Sequence, residues 1–500
     1  MKIEYGGKIV EWLLDCEPRP AQLEGMLRSY YGYKFKDKID DEGELEELPH
    51  AGMPALGFAH FLQMRVGKTP LALNEFMLFK RDHGVKKAFI ISPNSYKTTW
   101  AHEATRFGVD VPVHVYNSKD ADETAWFIRR NPEGIIVVNY EAMSTAKSAI
   151  FEEWIDNKTF VVADESVKIK NPDSTVFKKS MALTRQAAAI RVLTGLPNPQ
   201  GITDFWSQLR MIRKLSGTNF YAFRGRFAEM GGYRAKKIVA VKNVDEFEAL
   251  LTATSFRASR KNWGMKIDCD YEIVSLEMLP EQRKVYDEMD KDFVAWLESG
   301  EMVTADQVIT KRIKMQQISS GFIYDEHRKP QVVVPFLKTP KWLDLKNRLD
   351  SHIEGKIIVV GQYRQTMQDL FDALQPYGVA TILGNDDMTR MKRDVQEEKA
   401  RFNSSSTCRV LLAQGDAVKY GHTLMGTEAD PCITTCFFEN SYNLDTRSQV
   451  EERNQGAGQQ AAIHIFDYSS SGIESEIIRA LQHKSNVANT ILGYYKKQDT

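Results

Sequence analysis

The chain has 500 residues, more than one hydrophobic core organises, so two to four domains are expected. Its 42% hydrophobic and 27% charged residues are the composition of a soluble globular protein, and a formal net charge of −1 gives no global attraction to nucleic acid. A groove can be basic on an otherwise acidic surface, so DNA binding stays compatible with that balance, whereas a membrane span would need about 18 consecutive apolar residues and none are present.

Met1 to Leu14 lacks an apolar core of signal-peptide length. The mixed charge run KFKDKIDDEGELE (35–47) reads as a solvated loop. An apolar run ending in Phe61 and Leu62 then leads to Gly67-Lys68-Thr69, and a helical pattern follows at once. Strand, loop and helix in that order make a phosphate cradle. The N–H groups of the loop Arg65-Val66-Gly67-Lys68-Thr69 and of the helix start face an anion, Lys68 reaches the β- and γ-phosphates, and the Thr69 hydroxyl faces Mg²⁺. Pro70 sits in the first helical turn, where a missing N–H costs little. The full pattern asks for glycine five positions before Gly67, where this chain has Leu62.

Further apolar runs follow at KKAFIIS (86–92), GIIVVNY (134–140), FVVADE (160–165) and RVLTG (191–195). After residues 205–232 and 280–320, which read as helices flanking the strand-like DYEIVSLEM, the runs resume at KIIVVG (356–361), RVLLAQ (409–414) and AIHIFDY (462–468). They lack period-two alternation and alternate with helical stretches, as strands do when crossover helices bury both faces. Two parallel α/β lobes are therefore expected, residues 1–270 with a helical protrusion at about 205–262, and residues 271–500 with a helical insertion at about 280–335. The five cysteines are odd in number and scattered, and Cys432 and Cys436 lie in an apolar run as buried thiols. A reducing, cytoplasmic setting is expected.

Asp164 and Glu165 end an apolar strand, where α/β sheets bind ligands. In phosphoryl transfer the Asp would hold Mg²⁺ with Thr69, and the Glu would orient and deprotonate the attacking water. The alternative is a solvated strand end.

Longer segments carry a resemblance. ADESVKIKNPDS (163–174) resembles motif II of the Swi/Snf-type ATPases of helicase superfamily two, and RVLTGLPNPQGITDFWSQLRMI (191–212) resembles their motif III. PRPAQLEGM (18–26) is similar to the motif that reads adenine, which implies Gln22 on the base. ISPNSYKTTWAHE (91–103) and VVNYEAMS (137–144) are similar to the DNA-contacting motifs of lobe one. LPEQRKVYDEM (279–289), MQQISSGFIYDE (315–326), KIIVVGQYRQTMQDLFDAL (356–374), GHTL (421–424) and SQVEERNQGAGQQ (448–460) fall in family order, with C-terminal helicase motifs over 356–490.

The resemblance implies two RecA-like lobes with ATP in the cleft between them, a monomeric motor on double-stranded DNA, and ATP with Mg²⁺ as its cofactors. Catalysis would fall to Lys68, Asp164, Glu165 and Arg453, with Gln449 and Arg453 reaching the nucleotide from lobe two. Asn94, Lys97, Tyr140, Lys168, Lys170, Gln362, Arg364 and Gln414 would face DNA, mainly its phosphates, because a motor that must move cannot use strong base readout. The basic stretches FRGRF (223–227), YRAKK (233–237) and FRASRKNWGMK (256–266) would grip the duplex or form solvated faces.

The family pattern places a second arginine, a finger on the transferring phosphoryl group, where this chain has Gly456; Arg447 and Arg453 are its neighbours. Ser166 and Val167 replace the usual Ala and His, and Leu196 replaces the second Thr of motif III. Such divergence resembles compact phage and bacterial members. The expectation is a DNA-dependent ATPase that translocates on duplex DNA; the alternatives are an ATP-responsive DNA clamp crippled by Gly456, and a strand-separating or branch-migrating helicase.

Overall fold

Each apolar run becomes a strand buried on both faces. The computed structural model describes residues 1–36, 44–231, 237–263, 267–298, 305–384, 391, 393–419, 423–455 and 461–491. The chain divides into two units, Met1–Lys266 with Asn486–Thr500, and Ile267–Ser485.

In the first unit the main strands are β1 (Gly57–Leu62), β2 (Lys87–Ser92), β3 (Val113–Val115), β4 (Gly134–Asn139), β5 (Thr159–Asp164), β6 (Ala189–Leu193) and β7 (Ser255–Ala258). They form a seven-stranded sheet ordered β7-β1-β6-β5-β2-β4-β3, parallel at every pairing. Successive side chains leave a strand on opposite faces. Phe89, Ile91, Val161 and Val192 therefore enter one core cluster, while Ala88, Ile90, Val162 and Leu193 enter another on the opposite face. That double burial removed the alternation from the sequence.

The second unit repeats the plan with β8 (Cys269–Ser275), β9 (Lys356–Gly361), β10 (Val379–Ile382), β11 (Val410–Gln414), β12 (Cys432–Phe437) and β13 (Ile463–Ser469). Its six-stranded sheet is ordered β8-β13-β12-β9-β11-β10, again all parallel. Cys432 and Cys436 are fully buried in β12. Among the described residues no helix is long and apolar enough to cross a membrane.

The structure departs from expectation at several places. The segment read as a loop is flanked by an antiparallel pair, Tyr33–Phe35 with Leu45–Glu47, joined also by Lys34 to Glu46 at 2.9 Å; residues 37–43 lie outside the described residues. The stretch expected as a helical protrusion does hold helices, Phe205–Met211, Phe220–Phe227 and Val244–Thr254, but also an antiparallel pair, Ala228–Gly231 with Lys237–Val241. Its last part, β7, is an edge strand of the main sheet. The boundary expected after residue 270 falls before Ile267, which leaves β8 whole within the second unit, and residues from Asn486 onward group with the first. Val487 packs against the first unit's core. Helices Pro280–Glu298 and Ala305–Ser319 lie in the second unit.

A charged cluster lies inside the first unit. The Arg191 guanidinium of β6 donates to Glu75 Oε1 at 2.8 Å, and His60 of β1 meets Glu75 Oε2 at 3.0 Å, with all three side chains fully buried. Phe79 and Phe160 lie against the guanidinium at 5.5 and 5.4 Å. Burial alone would raise the Glu75 carboxyl, but Arg191 and His60 outweigh it and bring it down to about 2. The folded-state value is depressed, so this contribution to stability is present above about pH 4.5 and fades as pH falls toward 2. Removing one member strands a buried charge. Arg191→Met should cost roughly 3–5 kcal/mol in urea unfolding, and adding Glu75→Gln should recover most of it; equal losses in the single and double variants would contradict the pairing.

Candidate functional site

The loop after β1 is shaped by its backbone and held from outside. Gly67 has φ 102°, and a Cβ there would sit 2.2 Å from Gln22 Nε2, so only glycine fits. Arg65 also has positive φ, 68°, an uncommon conformation for a residue with a side chain, and Val66 is buried. Gln22 ties the loop down: Nε2 donates to the Gly67 carbonyl at 3.1 Å, while Oε1 accepts from the Arg19 N–H at 2.7 Å. The Arg19 guanidinium donates to the Arg65 carbonyl. The amide expected on adenine is thus engaged within the unit, bracing the loop. Helix α1 (Lys68–His83) begins directly after Gly67, so its first N–H groups open onto the cradle.

Parallel register brings the carboxyl ends of β2, β5 and β6 side by side, and the reactive groups gather there. Lys68 Nζ donates to Glu165 Oε1 at 3.1 Å, and the Thr194 hydroxyl donates to Oε2 at 2.9 Å. Glu165 sits in the left-handed region, φ 49° and ψ 54°, which turns its carboxylate back over the strand ends. Asp164 Oδ2 accepts from Trp100 Nε1 at 2.9 Å and the Ser92 hydroxyl at 3.3 Å, and Oδ1 accepts from the Glu165 N–H at 3.0 Å. Burial, and then the neighbouring charge of Glu165, raises the Asp164 carboxyl to about 6 against the pull of Lys68. Ser166, at a family alanine position, donates to Gln208 Oε1 at 2.7 Å, and Gln208 Nε2 donates to the Pro197 carbonyl at 2.7 Å. This joins the segment after β5 to the loop after β6.

Trp100, Ser92, Thr194 and Gln208 were not singled out from sequence. All four lie within quoted runs, Ser92 and Trp100 in 91–103 and Thr194 and Gln208 in 191–212, so their motifs were visible although their partners were not.

The expected DNA-facing residues are placed unevenly. Asn94 and Lys168 are exposed, and Lys170 is half-buried. Lys97 Nζ donates to the Tyr116 carbonyl at 2.7 Å, and burial lowers its pKa. Tyr140 is buried, with its hydroxyl donating to the Asp164 carbonyl at 2.7 Å; it braces the strand end and does not present its ring to a surface. In the second unit a pocket of about 400 Å³ opens at the carboxyl ends of β9, β11 and β12 and is lined by Gln362, Gln414, Asn440 and Arg447 among others. Arg364, two residues after Gln362 at the start of the next helix, is exposed.

Gln449 and Arg453, expected to reach the nucleotide, are 4% and 1% exposed. The Arg453 guanidinium donates to the Gln449 carbonyl at 2.6 Å and to its Oε1 at 3.1 Å. Arg447 is held by Asp467 and Glu451 and lies 3.6 Å from the centre of the Phe437 ring. Gly456 lies outside the described residues.

The sequence profile of the SNF2-related domain matches residues 7–327. The chain belongs to the SNF2-related domain family. It is thus of Swi/Snf type, among the helicase-like ATPases of superfamily two. A DNA repair and recombination protein RAD54-like of Drosophila mojavensis is 22% identical over 82% of this chain and 56% of its own length. An uncharacterized ATP-dependent helicase of Mycoplasma genitalium is 21% identical over 86% and 40%, and a putative protein of an aphid endosymbiont phage 22% over 53% and 60%. The SNF2-related chain spans about half the length of these curated relatives. The SWI2/SNF2 ATPase core of Sulfolobus solfataricus, solved in complex with dsDNA, superposes with a TM-score of 0.41 at 17% identity, over 96% of this chain and 94% of that one.

The residues of this SNF2-related site suit Mg²⁺. Asp164 and Glu165 place two buried carboxylates beside the single ammonium of Lys68, and the surplus negative charge and elevated Asp164 favour a divalent cation, with Thr69 close by at the helix start. Without metal the sign is opposite. A raised folded-state value means that stability from Asp164 is complete below about pH 4 and is lost as pH rises through 6. Asp164→Asn should therefore raise the metal-free unfolding free energy at pH 7.5 by up to about 3 kcal/mol, vanishing near pH 4; a loss of stability at pH 7.5 would contradict the burial argument.

Proposed function

We propose that this chain is an ATP-dependent translocase on double-stranded DNA, hydrolysing ATP at the Lys68, Asp164 and Glu165 centre. One observation carries the reading: Lys68 Nζ lies 3.1 Å from Glu165 Oε1 at adjoining strand ends, with Thr194 on the other carboxylate oxygen. Lys68 exchanges Glu165 for the β- and γ-phosphates when ATP enters the cradle. Glu165, released on one side and still held by Thr194 on the other, accepts a proton from water as that water attacks the γ-phosphorus. The bond from that phosphorus to the β–γ bridging oxygen breaks, giving ADP and inorganic phosphate. Asp164 and Thr69 would hold Mg²⁺, which would supply charge neutralisation on the phosphates. Duplex DNA meets exposed residues such as Asn94, Lys168, Gln362 and Arg364 through its phosphates, so movement needs no fixed sequence.

A second reading, an ATP-responsive clamp with weak hydrolysis, is favoured by the arginines. Gly456 has no side chain to offer, while Arg447 and Arg453 are both engaged in internal pairs.

Steady-state hydrolysis with and without duplex DNA tests the first reading. Lys68→Ala and Glu165→Gln should each lower DNA-stimulated turnover by at least about 10²-fold, with only Lys68→Ala also weakening ATP binding. Full activity in Glu165→Gln would remove the base assignment. On the clamp reading, the natural chain binds ATP and DNA with little turnover, and Gly456→Arg raises the rate by about 10³-fold or more. Displacement of a third strand from a DNA triplex reports translocation; release of one strand from a forked duplex reports unwinding.

A further inference from the structure

One basic stretch of the sequence, FRGRF, takes no part in the ATP centre. It lies in helix α2 (Phe220–Phe227), whose inner face is fixed: Phe223 and Phe227 are buried and meet Phe247 with ring centres 6.2 and 5.3 Å apart. The outer face carries Tyr221, which is 70% exposed. Its ring is the last of a series running outward from the core, Phe177 to Trp206 to Phe220 to Tyr221, with successive centres 5.7, 5.8 and 5.8 Å apart. The Arg224 guanidinium lies 5.2 Å from the centre of the Tyr221 ring and 5.9 Å from that of Phe220.

A singly exposed tyrosine is ordinary, but three features set this one apart. Arg226 pairs with Glu246 at 2.5 Å, whereas Arg224 meets no carboxylate among the described residues and rests on the two rings. Gly225, four residues after Tyr221 and so on the same helix face, is a poor helix former, yet a Cβ there would have nothing within 4 Å. Packing does not require that glycine; it leaves a flat gap beside an exposed ring. Between Asp204 and Glu229 the chain has Arg210, Arg213, Lys214, Arg224 and Arg226 and no carboxylate. Arg210 and Arg213 donate to the carbonyls of Leu215 and Ala187, which holds them without neutralising them.

A ring beside an open gap suits a flat π-face, and the uncompensated cations of the segment suit phosphate. A nucleotide of an unpaired strand offers both. Duplex phosphates would answer the charge and leave the ring idle. We propose that Tyr221, with Arg224 and Gly225, forms a stacking platform for an unpaired base of a DNA strand: the base lies against the Tyr221 ring over the Gly225 gap, and Arg224 meets an adjoining phosphate. A duplex end, gap or fork then gains a contact that an intact duplex lacks. The platform rests on the reading given above only in taking DNA as the partner, and needs no ATP hydrolysis.

The test uses the full chain without nucleotide and reads the anisotropy of three labelled probes: oligothymidine, an abasic strand with the same number of phosphates, and a duplex. The natural protein should bind oligothymidine more tightly than the abasic strand. Tyr221→Ala should weaken oligothymidine binding by about 5–100-fold, as loss of one stacked base does, and leave the abasic strand unchanged, while Tyr221→Phe keeps the natural affinity. Gly225→Leu, which favours the helix but fills the gap, should keep the unfolding midpoint at or above that of the natural protein and still lose oligothymidine affinity. Arg224→Gln should weaken both strands and lower the salt dependence of each by about one released counterion. Oligothymidine binding that ignores Tyr221→Ala, or equal losses on the two strands, would overturn the platform and leave duplex binding as it stands. A Tyr221-dependent affinity for poly(Glu,Tyr) above that for oligothymidine would overturn it in favour of an acidic protein partner. A natural protein that binds neither strand nor duplex would overturn both readings.

Discussion

A lysine and a glutamate 97 positions apart in sequence meet at 3.1 Å, and the candidate site is organised by what allows that meeting. Lys68 is fixed by a loop whose glycine admits no side chain, and Glu165 by a left-handed backbone at a strand end. Neither constraint would bring them together without a sheet in which β1, β6 and β5 lie side by side and run the same way. The ion pair depends on sheet topology, and topology depends on strands apolar enough to be covered on both faces. Beneath it, Glu75 of α1, Arg191 of β6 and His60 of β1 tie that helix and two of those strands together through the core, so the cradle and the Thr194 strand are linked above and below.

The main strands were legible because their burial leaves a plain mark: four to six apolar residues between helical stretches. Short edge strands were not. Val113–Val115 and Val379–Ile382 have three and four residues, too few for any pattern, and Ser255–Ala258 follows a helix without a turn signal. The paired flanks of the 35–47 segment were hidden by their charge, since Lys34 and Glu46 face each other across the ladder where a sequence reading sees only a solvated run.

In the site, chemistry carried by the backbone was legible and chemistry carried by hydrogen bonding was not. The cradle and the acidic strand end declare themselves by residue type at fixed positions. Trp100 and Ser92 lie within a quoted motif, but their roles depend on which atom lies opposite. Ser166 is instructive: it departs from the family alanine, and its hydroxyl ties the segment after β5 to Gln208. Tyr140 shows the converse. A tyrosine at a strand end reads as an exposed contact, but it is turned inward to the Asp164 carbonyl, and its ring serves the core.

The division of the chain places Ile267–Ser485 as an insertion within the first unit, whose remaining part resumes at Asn486. Biosynthetic order and assembly order therefore differ. The ribosome releases the whole inserted body before the last piece of the earlier one emerges, and Val487 can reach its place in that core only afterwards. Two backbone crossings also join the bodies, so after a cut at the first crossing only the packing of the segment from Asn486 onward holds the inserted body to residues 1–266.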